Sequence, residues 1–368
     1  MFKLSALYFL FYFCLGGSLL YFSSFFNSIG ISGKMSGLIF SMGSMLAMIW
    51  QPLLGYISDR SKKTKEILIA LMGTMALALL ILGLKPLPAV AFIGFLIYSL
   101  TIWGFMPLID SVTVNTGYSF GRIRLWGSIG FSVGSFVSGK VIEMTEQNGF
   151  LFLISGVAVI TALALLTLEN NFAKEGERAH FSDILNLIKN KNYLIFIIFT
   201  ILILGTMNSH NTFFSLYFNK IGGGAGFFGT VVFLITMSEV PFMGLASRWV
   251  ERFGTKKILL ISGGLLALRW GIYYFIPSPK IVALSFFLQG ASIGVFFAVA
   301  ATHIKKIVDP KTISTAMTTY MAAGTLGGTM TQLISGNIID SLGVVSIYLF
   351  FMVFSLIGVG VFSFEKNK

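Results

Sequence analysis

The stretch "WGSIGFSVGSFVSGKVIE" (Trp126–Glu143) aligns without a gap on "AGTLGGTMTQLISGNIID" (Ala323–Asp340), and this pairing decides how the chain is organised. Gly127, Gly130 and Gly139 fall on Gly324, Gly327 and Gly336, and Glu143 falls on Asp340. A second echo sets "SDRSKKTK" (Ser58–Lys65) against "VERFGTKK" (Val250–Lys257). The offsets, 323 − 126 = 197 and 250 − 58 = 192, are close to each other, so the chain reads as two related halves.

Both repeats sit at or between long apolar runs. Runs of about 20 residues are long enough to cross a bilayer, and twelve are bounded by charge, Pro or Gly. Six fall in the first half: Leu4–Phe26, Met35–Ile57, Ile67–Leu84, Ala89–Val112, Ile123–Ile142 and Phe150–Leu168. Six follow in the second: Tyr193–Phe218, Phe227–Ala246, Ile258–Ile276, Ile281–Ile304, Ser314–Ile338 and Val344–Phe362. Composition agrees, with 55% hydrophobic and 11% charged residues and a mean hydropathy of +0.86. Soluble domains carry about 25% charged residues. The expected fold is therefore an all-α membrane protein, with twelve transmembrane helices in two pseudo-symmetric six-helix bundles. The bundles are expected over 1–168 and 193–368. A polar linker, 169–192, places Phe181, Ile184, Leu185 and Ile188 at helical spacing, which predicts a short interfacial helix. The first run exceeds a signal-peptide core and lacks a cleavage site after it, so it is read as a retained span.

The net charge of +12 does not indicate nucleic acid, because the bases lie in short loops between apolar runs. One side collects the clusters at Arg60–Lys65, Arg122 and Arg124, Lys174–Lys191, Arg248–Lys257 and Lys305–Lys311, with the terminal Lys366 and Lys368; the other holds Lys34, Lys85, Lys220 and Lys280. The positive-inside rule predicts a multi-pass protein of the inner (plasma) membrane with both termini cytoplasmic. A single cysteine, Cys14, excludes an internal disulfide or a multi-cysteine metal site. No cofactor is expected. Glycines within spans read as points where helix backbones approach closely; "GTLGGT" (Gly324–Thr329) is no phosphate loop, because no strand precedes it. Duplicated six-span halves are the architecture of a transporter that rocks about a midplane site.

Ionisable residues lie within the spans at Asp110 in the fourth, Arg124 about a turn into the fifth, Glu239 in the eighth and Arg269 in the ninth. A charge in lipid costs several kcal/mol unless it is paired or faces water, so each is a substrate or ion site by default and a helix-tying ion pair otherwise. Arg124 and Phe131 are seven apart, almost two helical turns, with Ser128 between them on the same face; Trp103 and Asp110 have the same spacing. A carboxylate, a guanidinium, a hydroxyl and flat rings suit a hydroxylated ring, whose hydroxyls bond the charged groups while its apolar face covers an aromatic. His210, in "MNSHNTFF" of the seventh span, is a second candidate for substrate or proton, or else a packed hydrogen-bonding residue. His303, beside Lys305, reads as structural.

The loop "GYISDRSKKTK" (Gly55–Lys65) resembles the signature loop of the major facilitator superfamily, G-x-x-x-D-R-x-G-R-K, a gating loop in which Asp59 and Arg60 would make switchable salt bridges to neighbouring helix ends. Lys62 stands where that motif has its second glycine and Lys63 where it has arginine. "LYFLFYFCLGG", "QPLLGYISDR" and "PLID…YSFGRIRLWGSIGF", with "TMSE" and "LALR" later, are similar to the phenylpropionate-permease branch and to the related lactose permease group of oligosaccharide/proton symporters. The resemblance implies that Asp110, Arg124 and Phe131 occupy the positions of a sugar-binding acid, an arginine and a stacking ring. It implies that Glu239 and Arg269 take part in substrate binding and proton coupling. The tenth span departs from the pattern: Gln289 stands in place of a histidine and Ser292 in place of the proton-carrying glutamate, which moves the expected proton site to Glu239 with Arg269 as its partner.

The resulting expectation is a proton-coupled importer of a small organic solute, a sugar, oligosaccharide or similar polyol, energised by the proton gradient and functional as a monomer. An aromatic carboxylate/proton symporter is the alternative. A drug/proton antiporter is disfavoured by the absence of proline between Gly127 and Gly139. A transporter-like sensor would bind without flux. A membrane enzyme lacks any nucleophile, paired-acid or metal constellation to support it.

Overall fold

The computed structural model describes residues 1–115, 120–168, 187, 189–309 and 312–365. The predicted interfacial helix lies outside them. The described chain is helical, with no strand, and a helix stands at each of the twelve expected spans. In the first half these are α1 (Phe2–Leu19, resuming as Phe22–Ser28), α2 (Gly33–Ser61), α3 (Thr64–Leu84), α4 (Pro88–Asn115), α5 (Phe120–Met144) and α6 (Gly149–Leu166). In the second they are α7 (Lys191–Lys220), α8 (Ala225–Phe253), α9 (Thr255–Phe275), α10 (four pieces from Pro279 to Ile307), α11 (Ile313–Leu342) and α12 (Ile347–Ser363). Ten are long and apolar enough to cross a membrane among the described residues. The other two, α5 and α11, are 25 and 30 residues long, and their Gly, Ser and Thr content lowers their hydropathy.

These two small-residue helices are the ones that carry the repeat, and packing explains why. A Cβ added at Gly130 of α5 would lie less than 3.0 Å from Phe9 O of α1, and one added at Gly327 of α11 less than 3.0 Å from Ile201 O of α7. The side-chain hydroxyls that follow seal the same contacts, Ser135 Oγ donating to Gly16 O at 2.8 Å and Thr331 Oγ1 to Gly205 O at 2.6 Å. Without a hydrophobic effect between helices in lipid, such close approach supplies the attraction.

Helix ends repeat as well. Lys65, opening α3, donates to Leu166 O and Leu168 O beyond the end of α6, at 2.8 and 2.6 Å. Lys256, opening α9, donates to Ser363 O at 3.0 Å and to Glu365 O beyond α12. An ammonium at a helix C-terminus satisfies orphan carbonyls and opposes the negative end of the dipole. At the end of α2, Lys62 adopts φ 56°, ψ 25°, the left-handed conformation in which the motif ordinarily has glycine; its counterpart in the second echo, Gly254, has φ 80°.

The chain clusters into two compact units, Met1–Gly176 with Thr212–Phe233, and Glu177–Asn211 with Leu234–Lys368. The hairpin joining α7 to α8 thus groups with the first half. Aromatic contacts hold it there, Phe228 lying 5.2 Å from Tyr21 and Phe213 5.8 Å from Phe40 between ring centres, with Ser215 hydrogen-bonded to Ser23 at 3.1 Å.

Candidate functional site

Each unit holds a cluster built around the ionisable residues of its spans. In the first, Pro107 lies within α4 three residues before Asp110, and α5 brings Arg124 against Asp110. Arg124 Nη1 donates to Asp110 Oδ2 at 2.7 Å, so the two charges flagged in the sequence meet. Their side chains are 37% and 26% exposed, a pair open on one side. The other carboxylate oxygen, Oδ1, accepts from Tyr8 Oη of α1 at 2.6 Å. Tyr12, one turn along, stacks on Tyr8 with ring centres 6.0 Å apart and planes 16° apart. The Arg124 guanidinium lies 5.7 Å from the centre of the Tyr12 ring. The Tyr12 hydroxyl is buried and lacks a hydrogen-bond partner among the described residues. Phe131 and Trp103 are half-buried and Ser128 is exposed.

In the second unit, Glu239 on α8, Arg269 on α9 and Gln289 on α10 form a chain rather than a pair. Gln289 Nε2 donates to Glu239 Oε1 at 2.9 Å, while Gln289 Oε1 accepts from Arg269 Nη1. The expected direct contact of Glu239 with Arg269 is replaced by this bridge. A glutamine can do it because its amide is a donor at one end and an acceptor at the other. Arg269 is 0% exposed. Its remaining bonds go to Tyr273 Oη at 3.1 Å and to His210 Nε2 at 3.5 Å, and its guanidinium lies 5.0 and 5.1 Å from the Trp270 and Tyr273 ring centres. His210, 2% exposed, reaches Tyr348 Oη of α12 through Nδ1 at 2.9 Å. Pro241 follows Glu239 two residues on and removes a backbone donor from α8 at that level.

Local backbone explains how Gln289 arrives there. Gly290–Gly294 forms a π turn, a feature concentrated at functional sites. Gly290 lies so close to Ser238 O of α8 that no Cβ fits. A carbonyl in the π turn, Ser292 O, is taken by Ser262 Oγ of α9 at 2.6 Å, and Ser292 Oγ turns back to Leu288 O. Ser292, at the position of the family's glutamate, is thus spent on backbone.

His303 joins Thr255 Oγ1 to Glu365 Oε1, at 2.9 Å each, and both the His303 and Glu365 side chains are buried. Arg60 is exposed and donates to Tyr56 Oη at 3.2 Å, and the Asp59 side chain lies outside the described residues. Tyr8, Tyr12, Tyr273 and Tyr348 were not singled out from sequence. The i, i+4 spacing of Tyr8 and Tyr12, two hydroxyls on one face of a lipid-compatible run, is the signal that could have found the first pair.

The profile of the family described as "MFS_1 like family" matches residues 1–350. The chain is 33% identical over 354 residues to the "Uncharacterized transporter YwbF" of Bacillus subtilis (strain 168), covering 92% of this chain and 87% of that one. It is 27% identical over 337 residues to the maltose permease of Geobacillus stearothermophilus, covering 89% and 85%. Among solved structures, the nucleoside transporter NupG (D323A mutant) superposes with a TM-score of 0.88 at 22% identity, covering 100% of this chain and 99% of that one.

Proposed function

The chain belongs to the MFS_1-like family, within the major facilitator superfamily of membrane transporters, and from that premise we propose that it imports a small hydroxylated solute, a sugar or similar polyol, together with protons by alternating access. One observation carries the substrate class: a half-open Asp110–Arg124 pair with stacked tyrosines beside it. The pair is neutral overall, which favours an uncharged ligand. Vicinal hydroxyls donate to the carboxylate and accept from the guanidinium, and the buried Tyr12 hydroxyl supplies a further partner. The maltose permease relative is named for a ligand of this chemistry.

For coupling, Glu239 is the carboxylate that exchanges the proton. Ionised, it accepts from Gln289; protonated, it loses the charge that orders the bridge to Arg269. Both termini face the cytoplasm in this reading, and the transporter acts as a monomer.

Uptake by proteoliposomes against a panel of sugars, nucleosides and aromatic acids, with and without an inward proton gradient, tests the proposal. The expected result is gradient-driven accumulation of a polyhydroxylated solute, lost in Glu239→Gln while exchange between preloaded and external pools persists. Accumulation of none of the hydroxylated solutes would refute it. One observation favours a second reading, transport of an aromatic carboxylate. Arg269 contacts no carboxylate among the described residues, and the adjacent Trp270 indole N–H is buried without a partner. The aromatic-acid arm of the panel decides between them.

A further inference from the structure

Arg269 is a buried cation whose described hydrogen-bond partners, Gln289, Tyr273 and His210, are ones that can all be neutral. A guanidinium carries N–H donors and no acceptor. The imidazole nitrogen that faces it, His210 Nε2, therefore serves as the acceptor and bears no proton. A neutral imidazole has one N–H, so that proton is on Nδ1, where Tyr348 Oη stands at 2.9 Å to accept it. Donor counting from both sides of the ring fixes one tautomer.

Three further facts give the tautomer a consequence. The Nε2 contact, at 3.5 Å, is the longest of Arg269's bonds and so the first to yield. Among the described residues, the groups around the ring include Arg269, Trp270 and Tyr273 from α9 and Tyr348 from α12, with ring centres of the last three at 4.7, 6.0 and 5.8 Å. The carboxylate of Glu239 lies one amide beyond Arg269, through Gln289.

We propose that His210 is the positioning residue that holds the Arg269 guanidinium apart from Glu239, that it does so as the Nδ1–H tautomer, and that a proton added at Nε2 releases Arg269 toward the Glu239 carboxylate. The added proton occupies the lone pair that accepts from Nη2 and sets two buried cations face to face. Gln289 then rotates out of the bridge, and the guanidinium meets the carboxylate directly. Proton occupancy on α7 is thereby converted into a new bond between α9 and α8. The release step rests on the proton-coupled reading above; the tautomer does not.

The test uses the full chain labelled with 15N-histidine in lipid. The chain has 3 histidines, and loss of a signal in His210→Gln assigns the one of interest. At neutral pH, protonated Nδ1 and bare Nε2 are expected, and Tyr348→Phe should shift the Nδ1 resonance by removing its acceptor. An Nε2–H tautomer or an imidazolium at neutral pH would overturn the assignment. For the release step, His210→Gln offers an acceptor that cannot be protonated, so counterflow should lose its pH dependence and uphill accumulation should be abolished. Unaltered uphill accumulation in that variant would overturn the release. Wild-type uptake indifferent to the proton gradient would overturn the coupling reading and the release with it, while the resonances still decide the tautomer.

Discussion

Replacing Asp110 by asparagine separates a binding role from a helix-tying one, because both carboxylate oxygens are in use. Oδ2 accepts from Arg124 at 2.7 Å and Oδ1 from Tyr8 at 2.6 Å. Asparagine keeps one acceptor oxygen. Arg124 has only donors and must take it, which leaves the new NH2 facing Tyr8, whose hydroxyl can rotate to accept. The tie between helices therefore survives in neutral form. A hydrogen bond to a charged group contributes about 1.5–3 kcal/mol and a neutral one about 0.5–1.5 kcal/mol. Partial exposure of the pair moves the difference toward the low end, about 1 kcal/mol of fold stability. Substrate affinity should suffer more. A ligand hydroxyl finds a donor where it needs a charged acceptor, a mismatch of about 1.5–3 kcal/mol, or roughly 10- to 100-fold in Kd. Arg124→Lys should lose affinity similarly, since it loses the planar fork, whereas Tyr8→Phe frees Oδ1 and should cost less than either. Equilibrium binding of the transported solute, beside thermal unfolding of the detergent-solubilised protein, reads both quantities. A Kd for Asp110→Asn within twofold of wild type, with a lowered melting temperature, would make the pair purely structural and refute the argument.

Three other outcomes are expected. Gly130→Val and Gly327→Val each drive a side chain into a neighbouring backbone carbonyl and should lower stability by ~1–3 kcal/mol, read by thermal unfolding, while Gly73→Ala, with open space around it, should not. Lys62→Gly removes a left-handed penalty of about 1–2 kcal/mol and adds unfolded-state entropy of about 0.4–1 kcal/mol, so a modest rise in melting temperature should follow; a fall would contradict the backbone reading. In a Cys14→Ser background, a cysteine at Gly224 should react with an impermeant thiol reagent from outside and one at Gly176 only from the cytoplasmic side; the reverse pattern would invert the topology.

How much of this the sequence disclosed depends on what each feature needs. Gly130 and Gly327 were legible because close helix approach demands a missing Cβ, and two halves built alike demand it twice. Asp110 and Arg124 were legible because an ionisable residue in a lipid-compatible run has few structural excuses. The bridge through Gln289 was hidden. Sequence placed Glu239 and Arg269 on neighbouring spans and so paired them, but whether an amide fits between depends on a π turn whose only trace is the spacing of Gly290 and Gly294. Tyr8 and Tyr12 escaped notice because tyrosine is unremarkable in a membrane helix until a carboxylate is found within 2.6 Å of it. His210 divided between a site role and a packing role, since composition is blind to which ring nitrogen faces a donor.

The lysine caps change what a count of positive charge means. Lys65 and Lys256 were tallied as cytoplasmic charges, yet each ammonium is committed to two carbonyls at the far end of its own bundle, third helix to sixth and ninth to twelfth. They work as clasps. Each draws one rim of a bundle closed through main-chain atoms, which no side-chain substitution in α6 or α12 can take away. A residue that sequence reads only as a topology charge thus also braces the bundle, so removing the charge costs the bundle its clasp even where neighbouring bases leave the charge count almost unchanged.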